Sequence, residues 1–171
     1  LMVLGVTLLL VTVALVAQAV AEGGLGARGR RRRMQRAIDR MNGHYIVCGY
    51  GRVGRTVARE LEGEGAQFVV VDYDEELEAE LMRDGVVNII GDSTSDDVLR
   101  RAGIDRAKAL VSTLDSDANN VFVTIVARAL NADLYIVARA SEATSADRMY
   151  KAGADRVVSP YVSSGRHMAL L

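Results

Sequence analysis

An apolar helix that crosses a membrane, followed by a doubly wound parallel α/β sheet, is the architecture the sequence predicts. Three observations carry it. Residues 1–21 hold no charged side chain; from His44 onward six short Val- and Ile-rich runs alternate with helical windows; and a glycine-spaced turn follows the first run directly. The chain has 171 residues, half of them apolar and a quarter charged. That suits one domain of about 100–200 residues with appendages and excludes a disordered polymer.

Residues 1–21 are interrupted only by Thr7, Thr12 and Gln18 among polar side chains. The stretch matches the roughly 20 apolar residues that cross a bilayer, and its apolar character runs round every face, which a helix buried in one small domain has no partner to cover. A cleaved signal peptide is the rival, since Ala17-Gln18-Ala19 and Ala19-Val20-Ala21 resemble small-residue cleavage sites. Its positive charges would precede the apolar run, whereas Arg28, Arg30, Arg31, Arg32, Arg33, Arg36 and Arg40 all follow it. The basic side is therefore expected on the cytoplasmic face. The apolar run is already under way at Leu1, from which we expect the natural chain to continue upstream.

Residues 22–43 read as an Arg-rich cytoplasmic linker. Gly23, Gly24, Gly26 and Gly29 are expected to break the helical pattern, with a short helix following over 34–43 and ending at Gly43. The Arg side chains suit anionic lipid headgroups, at about 1 kcal/mol each near a surface. Residues 1–43 carry a net charge of +5 and residues 44–171 a net charge of −6. A nucleic-acid binder spreads basic charge over its folded face, so nucleic acid is disfavoured as a partner. The single cysteine, Cys48, forms no intramolecular disulfide, which suits a reducing compartment.

The runs 44–49, 67–72, 86–91, 108–113, 134–139 and 155–160 are the expected strands, apolar as strands buried on both faces are. The windows 52–64, 74–84, 95–103, 116–131 and 142–152 are the expected helices. Residues 116–131 have strand propensity in VFVTIVARAL, and length decides for helix. Strict alternation of strand and helix makes the sheet parallel and doubly wound.

After the first strand stands Gly49-Tyr50-Gly51-Arg52-Val53-Gly54, a GxGxxG turn that opens a helix, and Asp72 ends the second strand 18 residues past Gly54. This is the Rossmann-like dinucleotide fingerprint: Gly49 for the tight turn, Gly51 for close approach of backbone N–H groups to a pyrophosphate, Gly54 for close packing of helix on strand. Asp72 can accept hydrogen bonds from both ribose hydroxyls and would repel a 2′-phosphate. That favours NAD(H), or ADP or ATP with a free ribose, over NADP(H). A glycine turn that merely closes the fold is the competing reading. Arg52 either reaches a phosphate or a neighbouring subunit, or lies exposed on the first helical turn. Asp92 and Ser93 end the third strand on the same edge of the sheet, as adenine-side contacts or as part of a helix cap. His44 and His167 have no acid–base partner nearby in sequence, and Cys48 reads as a small core residue.

HYIVCGYGRVG, VVVDYDEE, GDSTSDDVLRRAGIDRAKALVSTLDSDANN and KAGADRVVSPYVSSGRHMA together resemble the N-terminal RCK domain (regulator of potassium conductance, also called TrkA-N) of prokaryotic potassium channels and transporters. The resemblance runs from His44 to about Ala169. VLGVTLLLV is similar to the inner, pore-lining helix that leads into such domains, with Gly5 at the place of the family's hinge glycine. The resemblance implies a homo-oligomer, with a tetrameric potassium pore in the cell membrane and a cytoplasmic ring of RCK domains whose ligand-driven rearrangement pulls on the inner helices. Its nucleotide contacts fall on Gly49, Gly51, Arg52, Val53, Gly54, Asp72, Asp92 and Ser93. In calcium-gated members the glycine turn is degraded and carboxylates follow the fourth strand and lie on the fifth. Here those positions read Thr113, Arg139 and Ser141, so that metal site is expected to be absent, with Asp115, Asp117 and Glu142 as solvated or capping carboxylates. The selectivity filter would lie upstream and the RCK C-terminal subdomain downstream.

A regulator and not an enzyme is the reading these features support. A membrane-tethered NAD-dependent oxidoreductase is the rival from another class; the sheet uses all the chain beyond residue 43, and no YxxxK pair stands ready for acid–base work. A peripheral TrkA-type transporter subunit would lack the apolar helix.

Overall fold

A computed structural model of the chain describes residues 24–159. The expected membrane span, residues 1–21, lies outside the described residues. Among the described residues no helix is long and apolar enough to cross a membrane. Two compact units divide between Arg36 and Ala37.

The elements run α1 (Gly24–Asp39), β1 (Tyr45–Cys48), α2 (Arg52–Gly63), β2 (Phe68–Asp72), α3 (Leu77–Arg83), β3 (Asn88–Ile90) and α4 (Asp96–Arg101). A 3₁₀ turn (Ile104–Arg106), β4 (Ala109–Ser112), α5 (Asp117–Leu130), β5 (Tyr135–Arg139), α6 (Ala143–Ala152) and β6 (Arg156–Val158) complete the fold. All six strands are parallel, in the order β3-β2-β1-β4-β5-β6. β1 is central, with Val47 opposite Val70 on one side and Val111 on the other. The chain winds outward from β1 to β3, then crosses back to β4, so the direction of winding reverses between β1 and β4. That reversal opens a crevice at the carboxyl ends of these two strands.

Alternation along the strands divides the core into two layers. Ile46, Cys48, Val69, Val71, Leu110 and Ile136 join Leu99 of α4, Val123 of α5 and Met149 of α6. Val47 and Val70 face the other way, onto Ala58 of α2 and Leu81 of α3. Each fully buried aliphatic side chain here contributes about 1.5–3 kcal/mol. Arg55 of α2 pairs with Glu80 of α3 through both terminal guanidinium nitrogens, with Nη2 to Oε2 at 3.0 Å, and lies over the Tyr50 ring. This ties the two helices of the second layer together. The window 116–131 is helical, and Ser116 caps it by accepting the Asn119 N–H.

The linker departs from expectation. α1 is unbroken from Gly24 to Asp39, through Gly26, Gly29 and the Arg run. Interior glycine costs about 1 kcal/mol against alanine, but the Arg, Ala, Leu, Met and Gln that fill the rest of the helix are among the best helix formers. It ends before Gly43, which takes a left-handed φ of 65°. The expected helix over 95–103 is α4, which Gly103 at φ 79° brings to an end, and a 3₁₀ turn follows.

His44, the residue before β1, is fully buried, and its Nε2–H donates to the Ala102 carbonyl at 2.8 Å. Burial holds its pKa below 6.5, against the opposing pull of that hydrogen bond and with help from the Arg106 charge. A depressed folded pKa means that His44 contributes its stability above pH 6.5 and loses it as pH falls from there toward the folded value. Denaturant midpoints should therefore drop between pH 7.5 and 5.5. His44→Gln, which keeps a donor for Ala102 but does not titrate, should flatten that drop.

Candidate nucleotide site

The carboxyl ends of β1, β2, β3 and β4 enclose a crevice of about 270 Å³. Gly49 leaves β1 at φ 93°, in the left-handed region, while its N–H stays in the sheet on the Val71 carbonyl at 2.8 Å. The chain then turns straight into α2, whose N-cap is Gly51 and which has no side-chain cap. Its first N–H groups are left for an outside acceptor, and a helix N-terminus favours an anion.

The three glycines of the turn answer to different constraints. A Cβ on Gly54 would stand 1.9 Å from the Gly49 carbonyl oxygen and 2.9 Å from Thr113 Oγ1, so Gly54 is required for α2 to lie on β1. At Gly49 the positive φ already demands glycine. Gly51 has neither reason: its φ is −72°, and a Cβ there meets nothing within 4 Å. Among the described residues nothing fills that space, and it lies at the crevice where a pyrophosphate would approach the backbone. The cradle thus fits a nucleotide.

Asp72 does more than the sequence indicated. Its Oδ2 accepts the Tyr50 N–H at 2.6 Å and its Oδ1 accepts the Asp74 N–H at 3.0 Å, with the side chain nearly buried. The carboxylate braces the glycine turn and also lines the crevice. Each oxygen still has lone-pair capacity for a ribose hydroxyl. Asp92 Oδ1 accepts both the N–H and the hydroxyl of Thr94, at 2.8 and 2.7 Å, in a local turn ahead of α4. Ser93 is buried at the crevice floor beside Cys48, whose thiol is pushed up to about 12 by burial, against the Ser93 hydrogen bond.

Five of the eight expected contacts therefore share one crevice: Gly49, Gly51, Asp72, Asp92 and Ser93. Gly54 is buried behind the turn. Arg52 is exposed on the first turn of α2, and its guanidinium makes no hydrogen bond or ion pair among the described residues. Val53 faces a separate apolar groove of about 110 Å³ with Val111 and Val137.

Sequence reasoning missed the β4 side. Thr113, Ser116 and Asn119 line the crevice too, placed there by the reversal of strand order beside β1. Thr113 Oγ1 donates toward the Cys48 and Gly49 carbonyls, at 3.1 and 2.9 Å, which holds the glycine turn from below. Asn120 is fully buried: its Oδ1 accepts from Ser112 Oγ and the Leu114 N–H, and its Nδ2 donates to the Leu114 and Arg139 carbonyls. An Asn-Asn pair on a helix was the visible signal, but only the pairing of β4 with β5 shows what it satisfies.

The loop carboxylates are engaged within the fold. Asp115 pairs with Arg139 at 3.3 Å, and Asp117 accepts the N–H groups of Ser141 and Glu142 at 2.8 and 3.2 Å. Asp117 is held below the usual carboxylate range: burial pushes it up, but the hydrogen bonds from Ser141, Ser145 and Glu142 outweigh that. Among the described residues no group of three or more His, Cys, Asp and Glu side chains could hold a metal ion.

Comparison with known proteins agrees with this geometry. Residues 45–160 match the TrkA-N domain family. Potassium channel protein 1 of Methanocaldococcus jannaschii is 43% identical over 167 residues, covering 96% of this chain and 50% of that protein. The chain thus spans about half the length of this curated relative. The TrkA-N domain of the inner membrane protein ybaL from Escherichia coli superposes with a TM-score of 0.73 at 27% identity, over 76% of this chain and 96% of that one. The GsuK channel bound to NAD gives a TM-score of 0.65 at 28% identity, over 70% of this chain and 22% of that one. GsuK bound to ADP gives 0.66 at 32%, over 81% and 37%. A parallel Rossmann-like sheet of six strands, its glycine turn and a match over most of the chain place this protein in the TrkA-N domain family.

Proposed function

We propose that the chain is the inner helix and regulatory domain of a potassium channel subunit, in which NAD(H) or another adenine nucleotide bound at the crevice controls ion flow. The observation that carries this reading is Gly51: an open cradle at a helix N-terminus, beside a carboxylate, which the fold itself does not require. The nucleotide complexes of GsuK support the ligand class, and the M. jannaschii channel supports the context.

In this reading residues 1–21 span the cell membrane, the Arg side chains of α1 stay on its cytoplasmic side, and residues 44–171 work in the cytoplasm. Subunits assemble around a tetrameric pore with the domains in a ring. The ligand's role is regulatory, not catalytic: it biases the ring between two arrangements by binding one more tightly. Amides at the start of α2 hold the phosphates, Asp72 the ribose, and Asp92 and Ser93 the adenine side. Arg52, exposed on the first turn of α2, reaches a phosphate or the next subunit, Val53 contributes its N–H, and Gly54 keeps α2 close enough for both. Calcium has no part at Thr113, Arg139 and Ser141.

Calorimetry with NAD, ADP and AMP tests the reading. Asp72→Ala should weaken binding at least tenfold, about 1.4 kcal/mol, since hydrogen bonds to a charged acceptor contribute roughly 1.5–3 kcal/mol each. Melting must be followed in parallel because Asp72 also braces Tyr50 and Asp74. Unchanged affinity in a folded variant would remove Asp72 from the site.

A further inference from the structure

One short stretch of chain, residues 93–106, touches the crevice at one end and the end of α1 at the other. Ser93 and Thr94 line the crevice, α4 follows, Gly103 turns the chain, and Arg106 closes the 3₁₀ turn. Arg106 Nε donates to the Met41 carbonyl and Nη2 to the Ile38 carbonyl, both at 2.9 Å, and the Arg106 carbonyl accepts the Gly43 N–H at 2.9 Å. Asp39 lies 4.0 Å from the same guanidinium.

We infer that this stretch couples the crevice to α1, with Arg106 as the positioning residue that holds the helix end. The inference rests on the nucleotide reading above and adds the route by which binding is felt outside the crevice.

The last carbonyls of a helix have no partner within it, so whatever satisfies them fixes the backbone at its end. Here one planar guanidinium spans the Ile38 carbonyl in the last turn of α1 and the Met41 carbonyl just beyond it, a fixed fork that a flexible ammonium does not reproduce. The surroundings are built around that fork. Gly103 turns at φ 79°, which favours glycine, and its Cα lies so close that a Cβ there would come within 2.9 Å of the Arg106 guanidinium carbon and 3.0 Å of His44 Cε1. Ile38 is fully buried in the same core layer as Val98, Leu99 and Ile104, so the end of α1 and the α4 segment share one packing unit. Between Ser93 and Arg106 no long loop intervenes to absorb a change. A ligand that restrains Ser93 and Thr94 raises the free energy of opening this segment, and the clamp on Ile38 and Met41 opens with it.

Hydrogen exchange on the whole chain in lipid nanodiscs, with and without saturating NAD, tests this; calorimetry first establishes that NAD binds. In wild type, NAD should slow exchange at Met41 and Gly43 by about threefold or more, together with the amides near Ser93. In Arg106→Gln, NAD affinity should stay within about twofold and protection near Ser93 should persist, while Met41 and Gly43 cease to respond. Arg106→Lys, which can satisfy one carbonyl but not both, should respond in between, and carries the comparison if Arg106→Gln fails to fold. Protection confined to the crevice in wild type, or an undiminished response at Met41 and Gly43 in the variants, overturns the coupling and leaves the binding site standing. Absence of NAD binding in wild type overturns the nucleotide reading and this inference with it.

Discussion

Gly51→Val should weaken nucleotide binding by at least about 100-fold, or roughly 2.7 kcal/mol, while costing the fold no more than about 1 kcal/mol. The asymmetry follows from what surrounds this glycine. Its φ of −72° and extended ψ are open to valine, and its missing side chain would meet no atom within 4 Å among the described residues, so the fold tolerates the change. Some stability is lost because valine is a poorer N-cap than glycine. A pyrophosphate, however, must come within hydrogen-bond distance of the backbone there, and an isopropyl group holds it off. Two hydrogen bonds to a charged group, at roughly 1.5–3 kcal/mol each, then go unmade. Calorimetry and thermal melting on the same preparation check both halves. A valine variant that binds NAD and ADP as wild type would mean that the open cradle is not the phosphate site.

Gly54→Ala should do the reverse and destabilise the domain, although it adds only one methyl group. That methyl would be placed 1.9 Å from the Gly49 carbonyl oxygen and 2.9 Å from its carbonyl carbon, and neither can swing aside as a side-chain tip would. Gly49 is fixed by the Val71 carbonyl on its N–H and by Thr113 against its oxygen. α2 must therefore lift from β1, opening the layer that holds Val47, Val70 and Ala58. Overpacking of this kind costs about 3 kcal/mol or more, which in a domain of this size lowers the melting temperature by roughly 10 °C. A melting temperature within about 2 °C of wild type would show that helix and strand are not in the contact described.

These two glycines also show what the sequence could and could not convey. The spacing GxGxxG, the acid at the end of the second strand and the Val-rich runs were readable because each reflects a local rule: positive φ, the reach of a ribose, burial on both faces of a strand. The helix over 116–131 was readable from its length. What lay hidden depended on contacts distant in sequence. That Gly54 serves the fold and Gly51 does not is visible only when β1, α2 and Thr113 are in place. Asp72 stands out in the sequence by its position alone, yet it accepts the Tyr50 N–H, 22 residues away, and so braces the glycine turn beside its proposed ligand role. Asn120 satisfies two strands and a loop at once, and Arg106 reaches back 65 and 68 residues to the end of α1. The linker is helical against expectation because a long run of strong helix formers outweighs its isolated glycines. Val53 stands out in the sequence by its place in the turn, while its side chain lines the separate apolar groove with Val111 and Val137.

The central claim is that a nucleotide at the carboxyl edge of the sheet controls potassium flow, and one measurement addresses it directly. The full-length subunit is reconstituted in liposomes, and potassium flux is followed while NAD, ADP and AMP are titrated on the domain side, with Gly51→Val as the paired variant. Flux in wild type should change over the same concentration range in which calorimetry shows binding, and flux through Gly51→Val channels should be unaffected across that range. If wild-type flux is indifferent to every one of these nucleotides while one binds tightly, the nucleotide is a structural cofactor and the regulatory account is wrong.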